Sequence, residues 1–167
     1  AYASVYGTTA MAAEIFSSRL RDRGVETVMF DVSVTPASEI IAAAFRWSHL
    51  VFASTTYNAG IFVTMEALIS DLAAHNISNR KVALIENGSW APTSGGLMRK
   101  QLEKCDGVTF LEQTVSIRSA VKAENLPQLE ALAAAIAADM PTTHAAPTAA
   151  ATGRQADNNA LPTVPYG

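Results

Sequence analysis

Ser4-Val5-Tyr6-Gly7-Thr8-Thr9 is the stretch on which the fold of this chain turns. A strand-like run at residues 2–5 passes through hydroxyls and one glycine straight into a helical pattern at residues 9–23. Such a junction gathers hydroxyl donors, free backbone N–H groups and the positive end of a helix dipole. Those groups suit a phosphate dianion. No Lys or Arg precedes Arg19, so a phosphate bound here is held by neutral donors. That favours a resident nucleotide or flavin phosphate over phosphoryl transfer. The plainer reading is that Ser4, Thr8 and Thr9 cap a helix. The turn carries neither a Walker A pattern nor Gly-x-Gly-x-x-Gly, which argues against ATP hydrolysis and dinucleotide binding through those motifs.

Outward from this turn, strands and helices alternate. Apolar positions 12, 15, 16 and 20 share one helical face, and Gly24 stops that helix. Residues 25–32 are β-branched and predict a second strand. Thr35-Pro36 predicts a helix start, with the threonine as cap and proline at the first helical position, running to about Trp47. Strands are predicted at 49–53, 81–85 and 108–117, and helices at 61–75, from about 97 to 105, and at 124–140. Five such alternations with apolar strands predict an α/β domain whose parallel sheet is covered on both faces. Past Pro141 the chain turns to Ala, Thr, Pro and Asn, which predicts a flexible tail or linker over 141–167, after one domain at 1–140.

Ligands of such sheets bind beyond the carboxyl ends of the strands. Three unusual loops should emerge there. The first is the turn at residues 4–9. The second, Ser54-Thr55-Thr56-Tyr57-Asn58-Ala59-Gly60, offers hydroxyls and backbone groups to the edge of a planar heterocycle, and Gly60 permits close approach or a peptide flip. The third holds Asn87-Gly88-Ser89-Trp90-Ala91-Pro92, where a Trp among small residues is a flat surface for a ring. The competing readings are an ordinary capped connection for the second loop and a sheet-edge cover for Trp90. Trp47, beside Phe45 on a helical pattern, is assigned to packing. A phosphate cradle, a polar rim and an aromatic plate at one edge describe a mononucleotide with a flat ring, and flavin mononucleotide (FMN) fits best.

Composition narrows the classes further. Of 167 residues, 49% are hydrophobic, enough for one core, and the net charge is -3, which disfavours nucleic-acid binding. No apolar run approaches the length of a membrane span. One cysteine, Cys105, excludes an internal disulfide or a Cys-rich metal site and fits a cytoplasmic setting; it reads as an inert buried thiol.

With those three loops in that order, residues 1–140 resemble the flavodoxin-like family, and most of all the flavodoxin domain of A-type flavoproteins, the flavodiiron proteins. The resemblance implies a three-layer sandwich with a five-stranded parallel sheet in the order 2-1-3-4-5 and FMN at the switch point. It implies that Ser4, Tyr6, Gly7, Thr8 and Thr9 hold the phosphate. It implies that Thr55, Tyr57, Asn58, Ala59 and Gly60 line the ring and that Trp90 flanks or stacks on it, with Thr56, Asn87, Gly88 and Ser89 also among the cofactor-binding residues. No residue is expected to act as a catalytic acid, base or nucleophile. In that family the flavin carries electrons from a rubredoxin or an NAD(P)H-dependent reductase to a diiron site in a metallo-β-lactamase-like domain, in the same or a partner chain, which reduces oxygen or nitric oxide. The three histidines, His49, His75 and His144, have no metal-ligand spacing, so no metal site is expected in this chain. The first strand is short for a central one, which implies a domain cut from a longer protein or a late start of the numbering. Two other readings stay open: a free-standing FMN-dependent NAD(P)H:quinone-type reductase, often completed across a homodimer, and a flavin-free docking or receiver module.

Overall fold

The structure, a computed structural model, describes residues 1–140. The expected linker at 141–167 lies outside them. The first strand, β1 (Tyr2–Ala3), is followed by α1 (Thr8–Arg21), α2 (Ala37–Arg46) and β2 (His49–Tyr57). Then come β3 (Gly60–Ile61), α3 (Val63–Ala74), β4 (Lys81–Asn87), α4 (Ser94–Leu102), β5 (Thr109–Ile117) and α5 (Leu126–Asp139). The sheet runs β1-β2-β4-β5, all parallel. Asp31 bridges the outer side of β1, parallel to Tyr2. Counted along the chain from the expected strands, this is the order 2-1-3-4-5.

Strand alternation sorts the side chains into two cores. Phe52, Val82 and Leu84 face α2, α3 and α4, where they meet Ile40, Met65, Leu68, Leu72 and Met98. Ala53, Ala83, Ile85, Val115 and Ile117 face α1 and α5, where they meet Phe16, Leu20, Leu129 and Ile136. The result is the three-layer sandwich that continuously apolar strands require. Each fully buried aliphatic side chain contributes about 1.5–3 kcal/mol relative to exposure.

Three local expectations are revised. Residues 25–32 form no ladder: the backbone there meets β1 only through Tyr2 N–H to Phe30 O and Val32 N–H to Tyr2 O, each 2.9 Å, because β1 offers just two residues to pair with. The helix expected from Thr35 starts one residue later, with Pro36 rather than Thr35 at the cap position and no side-chain cap. Asp31 instead organises that entry, accepting from the Ser33 amide at 2.9 Å through its carboxylate and from Thr35 N–H at 2.9 Å through its carbonyl. Finally, residues 54–57 of the second loop belong to β2, which folds back on β3 as a tight antiparallel hairpin.

Candidate functional site

Parallel register places the three loops at one edge. Ala3 pairs with Ser54, Ser54 with Glu86, Thr55 with Asn87, and Asn87 with Ile117, so β1, β2, β4 and β5 end side by side. A polar cleft of about 220 Å³ opens above these ends. Tyr6 and Thr8 line it from the first loop, Thr55, Thr56 and Tyr57 from the second, and Asn87, Gly88 and Ser89 from the third. The convergence expected from the alternation pattern is therefore present.

The first loop turns into α1 through Gly7 at φ 81°, a left-handed conformation that glycine adopts freely. No side chain caps α1, and there is no acidic residue in its first turn. The hydroxyls of residues 4–9 are thus not spent on capping, against the plainer reading. Ser4 Oγ is buried with no hydrogen-bond partner among the described residues. Uncapped helix amides, an orphaned hydroxyl and no cation within the turn fit a phosphate group. Thr9 behaves differently from its neighbours. It is fully buried and its hydroxyl bonds Thr55 Oγ1 at 2.9 Å, which latches the first loop to the second and leaves it off the cleft.

Asn87, the last residue of β4, is the hub of the rim. Its side chain is 3% exposed, and its amide donates to Thr8 Oγ1 at 3.1 Å and to the carbonyl of Ser119 at 2.8 Å. Loops after β1, β4 and β5 are held by one side chain. Thr56 lines the cleft and also organises the third loop: its hydroxyl accepts from the amides of Thr93, at 3.0 Å, and Ser94, at 3.2 Å, at the start of α4. Gly88 sits tightly, since a Cβ there would meet Pro92 Cα at 3.1 Å and Thr56 Cβ at 3.2 Å.

Asn58, Ala59 and Gly60 form the hairpin tip beside the cleft and do not line it. The left-handed positions are Asn58 (φ 48°) and Ala59 (φ 58°), so the unusual backbone lies ahead of Gly60, where the sequence pointed. Trp90 stands 92% exposed. It covers no sheet edge, which removes the packing reading and leaves a free indole next to the rim. Ser119, just past β5, lines the cleft in a left-handed conformation (φ 65°) and was missed by the sequence reading. The rule that ligands gather at strand ends applies to β5 as much as to the other strands, and was the available signal.

Other reactive groups lie away from the cleft. Cys105 follows α4, packed against the core, and burial pushes its thiol pKa up, which fits an inert thiol. Tyr2 is pushed up by burial first and then by the charges of Asp31 and Glu14. Among the described residues there is no group of three His, Cys, Asp or Glu that could hold a metal ion. None of their helices is long and apolar enough to cross a membrane.

Comparison with known proteins adds the fold's relatives. No family model matches the sequence. No curated protein matches it either. Solved structures do match in shape. Rubredoxin oxygen:oxidoreductase from Desulfovibrio gigas superposes with a TM-score of 0.78 at 18% identity, over 83% of this chain and 34% of that one. The flavodiiron protein from Giardia intestinalis gives 0.74 at 16%, over 82% and 34%. A Streptococcus pneumoniae flavodoxin gives 0.72 at 20%, over 83% and 96%. The chain thus spans about a third of the flavodiiron chains and nearly all of the flavodoxin. The fold, with its parallel sheet and its cleft at the strand ends, is flavodoxin-like.

Proposed function

We propose that residues 1–140 bind FMN and serve as the electron-transfer domain of a flavodiiron-type protein. The single observation that carries this is the meeting of three hydroxyl-rich loops at the uncapped start of α1, with Ser4 Oγ in the first of them buried and unpaired. Ser4, Tyr6, Gly7 and Thr8 would hold the phosphate with the first amides of α1. Thr55, Thr56, Tyr57, Gly88 and Ser89 would line the ring, with Asn58, Ala59 and Gly60 at its edge and Trp90 against it. Thr9 and Asn87 position the loops from behind. When bound, FMN supplies one-electron transfer between a donor and an acceptor. The chain's part is to bind it through neutral contacts, orient it at the rim and leave one side open to a partner.

On this reading the donor is a rubredoxin or an NAD(P)H-dependent reductase. The acceptor is a diiron site in a metallo-β-lactamase-like domain of the same or a partner chain. A cytoplasmic setting goes with the lone cysteine. The test is thermal unfolding of the apo protein with FMN, FAD or NAD. Ligand at 100 times its Kd adds about 2.7 kcal/mol of stability, so FMN raises Tm by several degrees and the others by less. Identical melts with FMN and buffer would refute the site. Replacing the exposed Trp90 with Ala should leave the melt unchanged and alter bound-flavin fluorescence. Rapid reduction by NADPH alone would instead support the free-standing reductase.

A further inference from the structure

The strand that leads into the third loop carries a charge where its pattern calls for an apolar side chain. Val82 and Leu84 face α2, α3 and α4, and strand alternation puts Glu86 on that same face. Glu86 is the one charged residue between Lys81 and Arg99. It stands half-buried, in register between Ser54 of β2 and Ser116 of β5. A carboxylate in such a place needs partners. It has two: Oε2 accepts from the Gly95 amide at 2.9 Å, and Oε1 accepts from the Ser116 hydroxyl. One side chain of β4 thus ties β5 to the first turn of α4. Gly95 is what admits the carboxylate, since a Cβ there would stand 2.8 Å from Glu86 Oε2 and 3.1 Å from Thr114 Cγ2.

Two of the helices that begin at this edge, α1 and α4, make the consequence plain. Neither has a side-chain cap at its own N-cap residue or an acid in its first turn. At α1 the first amides are left for an anion. At α4 the anion is built in. The amides of Thr93 and Ser94 donate to Thr56 Oγ1 of β2, and that of Gly95 donates to Glu86 of β4. A carboxylate at that end also meets the positive pole of the helix dipole. These bonds fix the far end of the third loop. Its near end is fixed by Asn87 and by the Gly88 amide, which donates to Ile117 O at 3.0 Å. Residues 89–92 bridge the two ends, and Trp90 among them is almost wholly exposed. An indole with so little contact takes its position from the ends of its loop.

We propose that Glu86 is the positioning residue for Trp90: its two-armed carboxylate sets where α4 starts relative to β4 and β5, and so holds the indole against the flavin ring. The ring is that of the FMN reading, on which this rests; the clamp belongs to the chain alone. Glu86 does not line the cleft and acts only through the loop. Reach matters more than charge in such a fork. Glutamine in its place keeps an oxygen for the Gly95 amide and offers its NH2 to the Ser116 hydroxyl, which can accept. Aspartate keeps the charge but, one methylene shorter, should not span both partners.

The experiment compares Glu86→Gln, Glu86→Asp and Glu86→Ala in the full chain, each with and without Trp90→Ala. Amide exchange in the absence of FMN reads the clamp. Exchange at Gly95 should rise roughly tenfold in the Ala and Asp variants and stay near the parent's in the Gln variant. Flavin fluorescence with FMN added reads Trp90. Glu86→Ala and Glu86→Asp should each give roughly half or more of the change that Trp90→Ala gives, and Trp90→Ala should add little on top of Glu86→Ala. Glu86→Gln should resemble the parent. Unchanged exchange in the Ala and Asp variants would overturn the clamp. Fluorescence changes that simply add would overturn its hold on Trp90, and so would a Gln variant that behaves like the Ala one. If Glu86→Ala does not fold, the Gln and Asp variants decide by the same two readings. A parent that takes up no FMN would sink the cofactor reading, and exchange at Gly95 would still decide whether Glu86 sets the loop.

Discussion

The two ends of this sheet leave different things open. At the carboxyl end the strands stop in hydroxyls, amides and glycine, and the unmet groups are polar: the Ser4 hydroxyl and the first amides of α1. At the amino end the unmet surface is apolar on two faces, with a few backbone groups in the plane between them. A polar cleft with side-chain and helix donors calls for a small polar ligand. Cavity size alone would rank the two ends without telling them apart. The chemistry of the unsatisfied groups separates them.

The largest effect that bears on this contrast comes from Asn87. Asn87→Ala removes two part-buried hydrogen bonds, to the Ser119 carbonyl and to the Thr8 hydroxyl. The expected cost is about 2 kcal/mol in urea unfolding, with weaker FMN binding on top. If stability and binding were both unchanged, the rim would not depend on that hub, and the polar end would be no more organised than ordinary connections. A smaller effect of opposite sign is expected at the hairpin tip. Ala59 is exposed and held at φ 58°, where an alanine costs about 1–2 kcal/mol. Ala59→Gly relieves that strain and loses part of the gain to greater unfolded-state freedom. A net stabilisation of about 0.5 kcal/mol should follow, read from the urea midpoint. A loss of stability would mean that the Ala59 methyl makes a contact that matters more than the strain.

The sequence revealed the polar end better than the apolar one, for a physical reason. Hydroxyls and glycine at strand ends are unusual in themselves, so residues 4–9, 54–60 and 87–92 stood out, and eight of the fifteen expected residues line the cleft. What the sequence could not tell was which hydroxyls are consumed internally. Thr9 and Thr8 are neighbours of the same type, yet helix geometry turns one inward to Thr55 and the other toward the cleft. In the second loop Gly60 reads as the permissive position, while Asn58 and Ala59 take the left-handed turn. At the apolar end, residues 25–32 have every mark of a strand and form no ladder. Strand propensity describes a segment's fitness for pairing; whether it pairs depends on the neighbour across the gap.

The smallest effect belongs to the ionic clasp at the amino end. His49 and Lys81 begin β2 and β4, pair in register, and both reach Asp139 at the end of α5, with His49 Nε2 to Asp139 Oδ2 at 2.8 Å. The hydrogen bond from Lys81, and then that from His49, holds the Asp139 carboxyl below its ordinary value of 3.8. A lowered carboxyl pKa in the folded state means that the clasp's contribution is complete above the unfolded-state value. It fades as pH falls through the folded-state value. Asp139→Asn should therefore melt slightly below the parent at pH 7, by about 2 °C at most for a half-exposed cluster. The two melting curves should converge below pH 3.8, where the parent's carboxylate is itself being protonated. A difference that persisted unchanged into that range would show that Asp139 acts by packing at the end of α5 and not through its charge.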